Sequence, residues 1–109
     1  MGKFVKGEIV VIPFPFSDLS GSKRRPAMVL ADLDGDDILL CQITSQNTRD
    51  SRAVPITNQD FQHGSLPVSC YIRPTRIFTA DKNIIVRATG ILKPQIVTDV
   101  VQSIISVIS

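Results

Sequence analysis

The 109-residue chain contains few of the residues from which metal and nucleophilic centres are built. It has one histidine, His63, and two cysteines, Cys41 and Cys70, each in a separate apolar segment. This set is too small and too scattered for a metal site. Neither cysteine has the adjacent cation and helix start that would activate a thiol. We therefore expect two buried free thiols, a solvated loop histidine, and no metal or cofactor.

Long apolar runs and glycine-rich phosphate loops are also missing. No apolar run approaches the roughly 20 residues that a transmembrane helix needs. The N-terminal segment lacks the apolar core of a signal peptide. No segment matches a P-loop or a dinucleotide fingerprint, and no nucleophile elbow surrounds a serine. These absences argue against membrane, serine-hydrolase and cofactor-dependent classes, and we expect a cytoplasmic protein.

The composition is that of an ordinary globular domain, with 43% hydrophobic and 20% charged residues. The length suits one domain with its own core. The formal net charge of +2 is too small to indicate a nucleic-acid partner by itself. Any such partner must therefore be inferred from where the charges lie.

Apolar periodicity predicts five to seven short strands followed by one helix. Pro94 suits the first turn of that helix, and the apolar residues after it recur at helical spacing. We expect residues 58–67 to form a loop and Pro74 to interrupt a strand. The predicted strands cover residues 8–13, 26–31, 38–44, 53–57, 68–73, 75–80 and 84–92, and the apolar helix positions are Val97, Val100, Val101, Ile104, Ile105 and Ile108.

An Asp-Gly turn between the second and third strands predicts a β-hairpin. The acidic residues around it lack the ligand spacing of a calcium loop and indicate an exposed turn. A hairpin places the start of the second strand, Arg24 and Arg25, beside the end of the third, Thr44 and Ser45. Guanidinium groups next to hydroxyls suit a phosphodiester. The alternative is that these cations only cap a strand end in solvent.

Several motifs together resemble the MazF/PemK (Kid) toxins of bacterial toxin–antitoxin systems. They are GEIVVIPFPFSD, KRRPAMVL, CQITSQ, RPTRIFTADKNII and TGIL. The most specific part is KRRPA followed at the appropriate distance by ITS. The resemblance runs from about Gly7 through the C-terminal helix.

This resemblance implies a small SH3-like β-barrel with a C-terminal helix, of the MazF/CcdB type, in a homodimer. It also implies a sequence-specific, metal-independent endoribonuclease that cleaves single-stranded mRNA. In this family the ribose 2′-OH attacks the adjacent phosphorus and yields a 2′,3′-cyclic phosphate and a 5′-OH end. The expected partners are RNA and a cognate antitoxin whose disordered tail occupies the same basic surface.

The family motifs assign catalytic roles to two residues. Arg25 would stabilise the phosphorane, because a guanidinium is a poor base but a strong electrostatic donor. Thr44 would position the scissile phosphate. The substrate-binding candidates are Lys23, Arg24, Ser45, Gln46, Arg73 and Arg76.

Two features of the sequence keep other functions open. Many relatives have an arginine before the Thr-x-Asp of a later strand, where this chain has Phe78, so Arg73 or Arg76 would have to replace it. The loop of residues 17–23 is expected to select bases. A binding module of the same fold without nuclease activity is one alternative, and a gyrase-directed toxin is another.

Overall fold

The computed structural model describes residues 4–14, 23–45 and 50–109. Within these ranges the chain forms seven strands, two short 3₁₀-helices and one α-helix, the order that the periodicity predicts. No helix in this part of the chain is long and apolar enough to cross a membrane. The strands are β1 (Glu8–Phe14), β2 (Lys23–Asp32), β3 (Asp37–Thr44), β4 (Val54–Ile56), β5 (Phe61–Gly64), β6 (Cys70–Asp81) and β7 (Arg87–Leu92); the 3₁₀-helices are Asn58–Asp60 and Lys82–Ile84, and the α-helix is α1 (Pro94–Ile108).

The seven strands form one antiparallel sheet in the order β4-β6-β3-β2-β1-β7-β5. The sheet curls into a half-barrel, and the helix follows it at the C-terminal end of the chain. The predicted mainly β fold with a C-terminal helix is therefore confirmed. β2 and β3 pair as the predicted hairpin.

The central strands bury both of their faces, because side chains alternate along a strand. One face, which we call the helix face, includes Ile9, Met28 and Ile43 and packs with Val100 of α1. The opposite face includes Val10 and Val29 in a second cluster. Burial on both sides explains why the middle of β2 is continuously apolar. The parts that cover the opposite face are Phe4, Phe78, Ala80 and Ile85.

Helix α1 begins at Pro94, as predicted, since proline suits the first helical turn. Val100 is fully buried, and Val97 packs against the helix-face cluster. Ile105 and Ile108 stay 45% and 77% exposed. The helix therefore covers the sheet with only part of its apolar stripe.

Two sequence predictions are wrong. Residues 58–67, expected to be a loop, contain a 3₁₀-helix and strand β5, because Thr57 caps the helix and Phe61 is buried in the core. Pro74 does not interrupt its strand and lies inside β6. The pairing of β6 with β3 shifts register between Ile72 and Ile77, so the missing N–H of Pro74 breaks no regular ladder there.

Lys82 fixes the hairpin turn between β2 and β3. Its Nζ donates hydrogen bonds to the carbonyls of Leu33 (3.0 Å) and Gly35 (2.9 Å) and pairs with the carboxylate of Asp32. The acidic residues of the turn are exposed, as predicted. Gly35 has a φ of +67°, the left-handed conformation that such a turn requires.

Two glycines with positive φ provide a matched test of the β5–β7 contact. A Cβ on Gly64 would lie 2.2 Å from the carbonyl oxygen of Thr89, whereas a Cβ on Gly35 meets nothing within 4 Å. We expect Gly35→Ala to cost about 1 kcal/mol, from backbone strain alone. Gly64→Ala should cost about 3 kcal/mol or more, because strain and a backbone clash add. Guanidinium chloride unfolding measures both, and equal losses would contradict the close approach of these strands.

Candidate active site

A groove of about 460 Å³ opens where β2 and β7 begin and β3 ends. We call it the basic groove, because three arginines line it: Arg24 and Arg25 from β2 and Arg87 from β7. Ser45 and Thr89 contribute hydroxyl groups. Its remaining lining is Val11, Pro26, Ile43, Leu66, Pro67, Val68 and Cys70.

The strand register separates the two arginines of β2. The Cα partner of Arg24 on β1 is Pro13, and that of Arg25 is Ile12. Ile12 belongs to the opposite-face cluster, so alternation assigns Arg25 to the opposite face and Arg24 to the helix face. Arg24 is exposed and Arg25 is half-buried. The basic groove thus draws its cations from both faces at the end of the sheet.

Thr44 ends β3 and lies across from Tyr71 of β6. The last pair between β2 and β3 is Ala27 with Gln42. Continuing this register by two residues brings Thr44 across from Arg25, on the same face of the sheet. The prediction that the start of the second strand lies beside the end of the third is therefore confirmed. Ser45, one residue further, lines the groove with Arg24.

Two predicted substrate-binding arginines, Arg73 and Arg76, do not line the groove. The Nε of Arg73 lies 3.4 Å from Oδ2 of Asp50, and the hydroxyl of Thr75 donates to the same oxygen at 3.5 Å. Arg76 is exposed on the same strand. Their role in substrate binding stays a prediction. Gln46 and the side chain of Lys23 lie outside the described part of the chain.

Phe78 occupies the position where many relatives have an arginine. Its Cα partner is Leu40, and its ring packs against the opposite-face cluster. It does not line the basic groove. Position 78 therefore contributes to the core of this chain and not to the groove.

Sequence reasoning missed Arg87 and Thr89. Arg87 reaches the groove because β7 pairs with β1, a contact between distant parts of the chain that no local pattern reveals. The predicted strand over residues 84–92 gave Arg87 no special position. The structure begins β7 at Arg87, after the 3₁₀-helix ends at Ile84. The one local signal is a cation followed closely by a threonine at that strand start.

The two thiols are buried and free, as predicted. Burial raises the pKa of Cys41 to about 12, and its Sγ donates to the carbonyl of Arg73 at 3.0 Å. Burial also raises the pKa of Cys70, which lines the groove and donates to the carbonyl of Val68. A raised pKa keeps a thiol protonated and a poor nucleophile. Neither cysteine is therefore suited to catalysis.

Known families and structures resemble this chain over nearly its full length. The model of the family described as PemK-like, MazF-like toxin of type II toxin–antitoxin system matches residues 5–108. No protein of curated function matches the chain at a significant level. The family match confirms the resemblance inferred from the motifs.

Solved structures share the fold at low sequence identity. An endoribonuclease from a Mycobacterial species has a TM-score of 0.74 at 14% identity, over 99% of this chain and 93% of that one. A Mycobacterial endoribonuclease in complex with its cognate antitoxin has a TM-score of 0.73 at 12% identity, over 97% and 95%. A MazE–MazF structure from Deinococcus radiodurans has a TM-score of 0.74 at 19% identity, over 94% of each chain.

Asp50 gives the region beside the groove a pH-dependent stability. The backbone N–H of Arg52 and, after it, the guanidinium of Arg73 hold the pKa of Asp50 below its usual 3.8, against an opposing effect of burial. A lowered folded pKa stabilises the protein above the unfolded pKa, and this contribution disappears as pH falls through the folded value. The ion pair with Arg73 should therefore fail only in acid.

We expect Asp50→Asn to lower the free energy of unfolding by a constant amount at neutral pH. The difference from wild type should shrink as pH falls below about 4. Urea unfolding at a series of pH values measures it. Ser51→Ala, an uncharged exposed neighbour, serves as the control and should show no pH-dependent difference. A difference that stays constant down to pH 2 would contradict the lowered pKa.

Proposed function

This chain belongs to the PemK-like, MazF-like toxin family of type II toxin–antitoxin systems, and from this premise we propose that it is a sequence-specific endoribonuclease. Its substrate would be single-stranded mRNA, and cleavage would inhibit translation and growth. The low-identity structural neighbours named as endoribonucleases support this proposal through the shared fold. The observation that carries it is the basic groove.

The groove has the charge that a phosphodiester needs. Arginine stays protonated at any physiological pH and binds phosphate oxygens in a bidentate manner. Among the residues that the structure describes, no carboxylate pairs with Arg24, Arg25 or Arg87. Their charges are therefore available to an anionic ligand. The apolar part of the lining lowers the local dielectric and strengthens such contacts.

The proposed reaction is an internal transesterification. The 2′-oxygen attacks the adjacent phosphorus, the bond from phosphorus to the 5′-oxygen breaks, and a 2′,3′-cyclic phosphate forms. The 2′-hydroxyl loses one proton and the leaving 5′-oxygen gains one, so the step consumes no water. Arg25 would stabilise the extra negative charge of the phosphorane. Thr44, on the same sheet face, would hold the scissile phosphate through its hydroxyl.

The proposed partners follow from the same charge. An antitoxin with an acidic, disordered tail would occupy the basic groove, because such a segment mimics the charge of the RNA backbone. The structure of a Mycobacterial neighbour in complex with its cognate antitoxin supports a partner of this kind. We further propose a cytoplasmic homodimer, for which the exposed apolar residues of α1 are one candidate interface.

One observation favours a second function. Phe78 packs in the core at the position where many relatives have an arginine, which removes one cation from the expected catalytic set. The chain would then be a module that binds RNA or its antitoxin with little nuclease activity. A gyrase-directed toxin is a further alternative, which would trap cleaved DNA and leave RNA intact.

Cleavage of a long unstructured RNA in EDTA, with mapping of both new ends, tests the proposed function. We expect cuts at a recurring sequence with cyclic phosphate and 5′-OH termini. Arg25→Ala should lower kcat by about 10²- to 10³-fold, because it removes stabilisation of the phosphorane. Thr44→Val, which keeps the side-chain shape, should lower it about tenfold.

Lys6→Ala is the matched control, because Lys6 is an exposed cation that does not line the groove. It should cut at the wild-type rate. Intact RNA at any enzyme excess would reject the nuclease and favour the binding module. Wild-type rates for both Arg25→Ala and Thr44→Val would reject the assignment of the site.

A competition experiment tests the antitoxin proposal. An acidic peptide from the antitoxin encoded beside this chain should displace labelled single-stranded RNA from the protein, because both would neutralise the same arginines. Fluorescence anisotropy measures the displacement, and a peptide of the same composition with neutral amides in place of its carboxylates is the control. Simultaneous binding of peptide and RNA would contradict a shared groove.

A further inference from the structure

Arg87 enters the basic groove from the wall opposite Arg24. Its Cα partner on β1 is Val11, and the partner of Val11 on β2 is Pro26. These three residues thus lie in one row across three neighbouring strands, on the helix face. Adjacent strands are about 4.8 Å apart, so the Cα atoms of Arg87 and Pro26 are separated by about 10 Å. Cations on both sides of Val11 can therefore face one ligand.

A β-bulge fixes the position of Arg87. Ile9 pairs with Gly90 and Val10 with Ala88, which leaves Thr89 as the extra residue of β7. Bulges often re-aim side chains beside functional sites. The Thr89 hydroxyl donates to the carbonyl of Ile9 (3.5 Å), and its own carbonyl accepts from the N–H of Ser65 (3.3 Å). The bulge is therefore anchored on both sides.

The same bulge places an apolar wall next to Arg87. Ser65 leads into Leu66, whose N–H donates to Oδ1 of Asn58 at 2.9 Å, and residues 66–68 line the groove. Leu66 is buried and Val68 is 57% exposed. An exposed apolar side chain beside a cation suits a nucleotide, since the base can pack on the former and the phosphate can bind the latter.

The charge of Arg87 is available, in contrast to that of Arg73. Arg73 is paired with Asp50. Arg87 is exposed, and no carboxylate within the described ranges neutralises it. It lies two strands away from Arg25, to which the proposed function assigns the reacting phosphate. A second phosphate of the same strand would meet Arg87 when the first lies at Arg25.

We propose that Arg87 is a positioning residue that binds the phosphate next to the scissile one. The groove then holds two consecutive phosphates, one at Arg25 and one at Arg87, with the intervening nucleotide against the wall of residues 66–68. This inference rests on the proposed function. It adds a contact that acts on substrate binding and not on the reacting atoms.

Two measurements on the full chain test this inference. The first is the kcat and KM for cleavage of a mixed-sequence RNA over a series of salt concentrations. The second is the Kd for a mixed-sequence single strand with 2′-fluoro riboses, which has no 2′-OH nucleophile. Each neutralised phosphate of a single strand contributes about 0.7 to the slope of log K against log salt.

We expect Arg87→Gln to raise KM and Kd about tenfold at low salt and to leave kcat within about twofold. The salt slope should fall by about 0.7, and Arg87→Lys should restore it. Lys6→Gln, which removes an exposed charge outside the groove, should keep the wild-type slope. Thermal unfolding of Arg87→Gln at the wild-type midpoint would show that the fold is intact.

An unchanged salt slope in Arg87→Gln would overturn the inference. A loss of kcat at constant KM would also overturn it, because it would place Arg87 at the reacting phosphate. Failure of the proposed function is distinguishable. In that case wild type cuts no RNA, whereas the 2′-fluoro titration still decides whether Arg87 contacts a phosphate.

Discussion

The pairing of β1 with both β2 and β7 is the constraint on which the site depends. Val11 lies between Pro26 and Arg87 in the register, and its carbonyl accepts the N–H of Val86 at 2.8 Å. Cations from distant parts of the chain therefore meet across one central strand. A slip of one residue in either pairing would turn every side chain of that strand to the other face. The core on both faces opposes such a slip, because it buries alternate residues of β1 in different clusters.

The distribution of charge explains why this end of the sheet, and not another, suits an anion. The ion pairs with Asp50 and with Asp32 assign Arg73 and Lys82 structural roles, one beside β6 and one at the hairpin turn. The arginines of the groove have no such partner in the described ranges. A chain with a net charge of only +2 thus concentrates its available positive charge where three strand ends meet. Local concentration, and not net charge, determines the field that a phosphate would experience.

The sequence predicted what depends on local pattern and missed what depends on distant pairing. The β2–β3 hairpin follows from an Asp-Gly turn between apolar segments, and with it the proximity of Arg25 and Thr44. The helix follows from Pro94 and the apolar period after it. Strand β5 was missed because Phe61 alone in a polar segment gives no alternation. Arg87 was missed because its place in the groove requires the β1–β7 pairing, which joins residues from opposite ends of the chain.

Phe78 shows how core packing and site composition are linked in this fold. β6 contributes Phe78 to the opposite-face cluster, and Cys70 near its start lines the groove. A charged residue at position 78 would need a different cluster around it, because an unpaired buried charge is costly. With an aromatic residue there, the cations of the groove must come from strands other than β6. β2 and β7 are the strands that supply them, and the bulge at Thr89 sets the register that brings Arg87 into the groove.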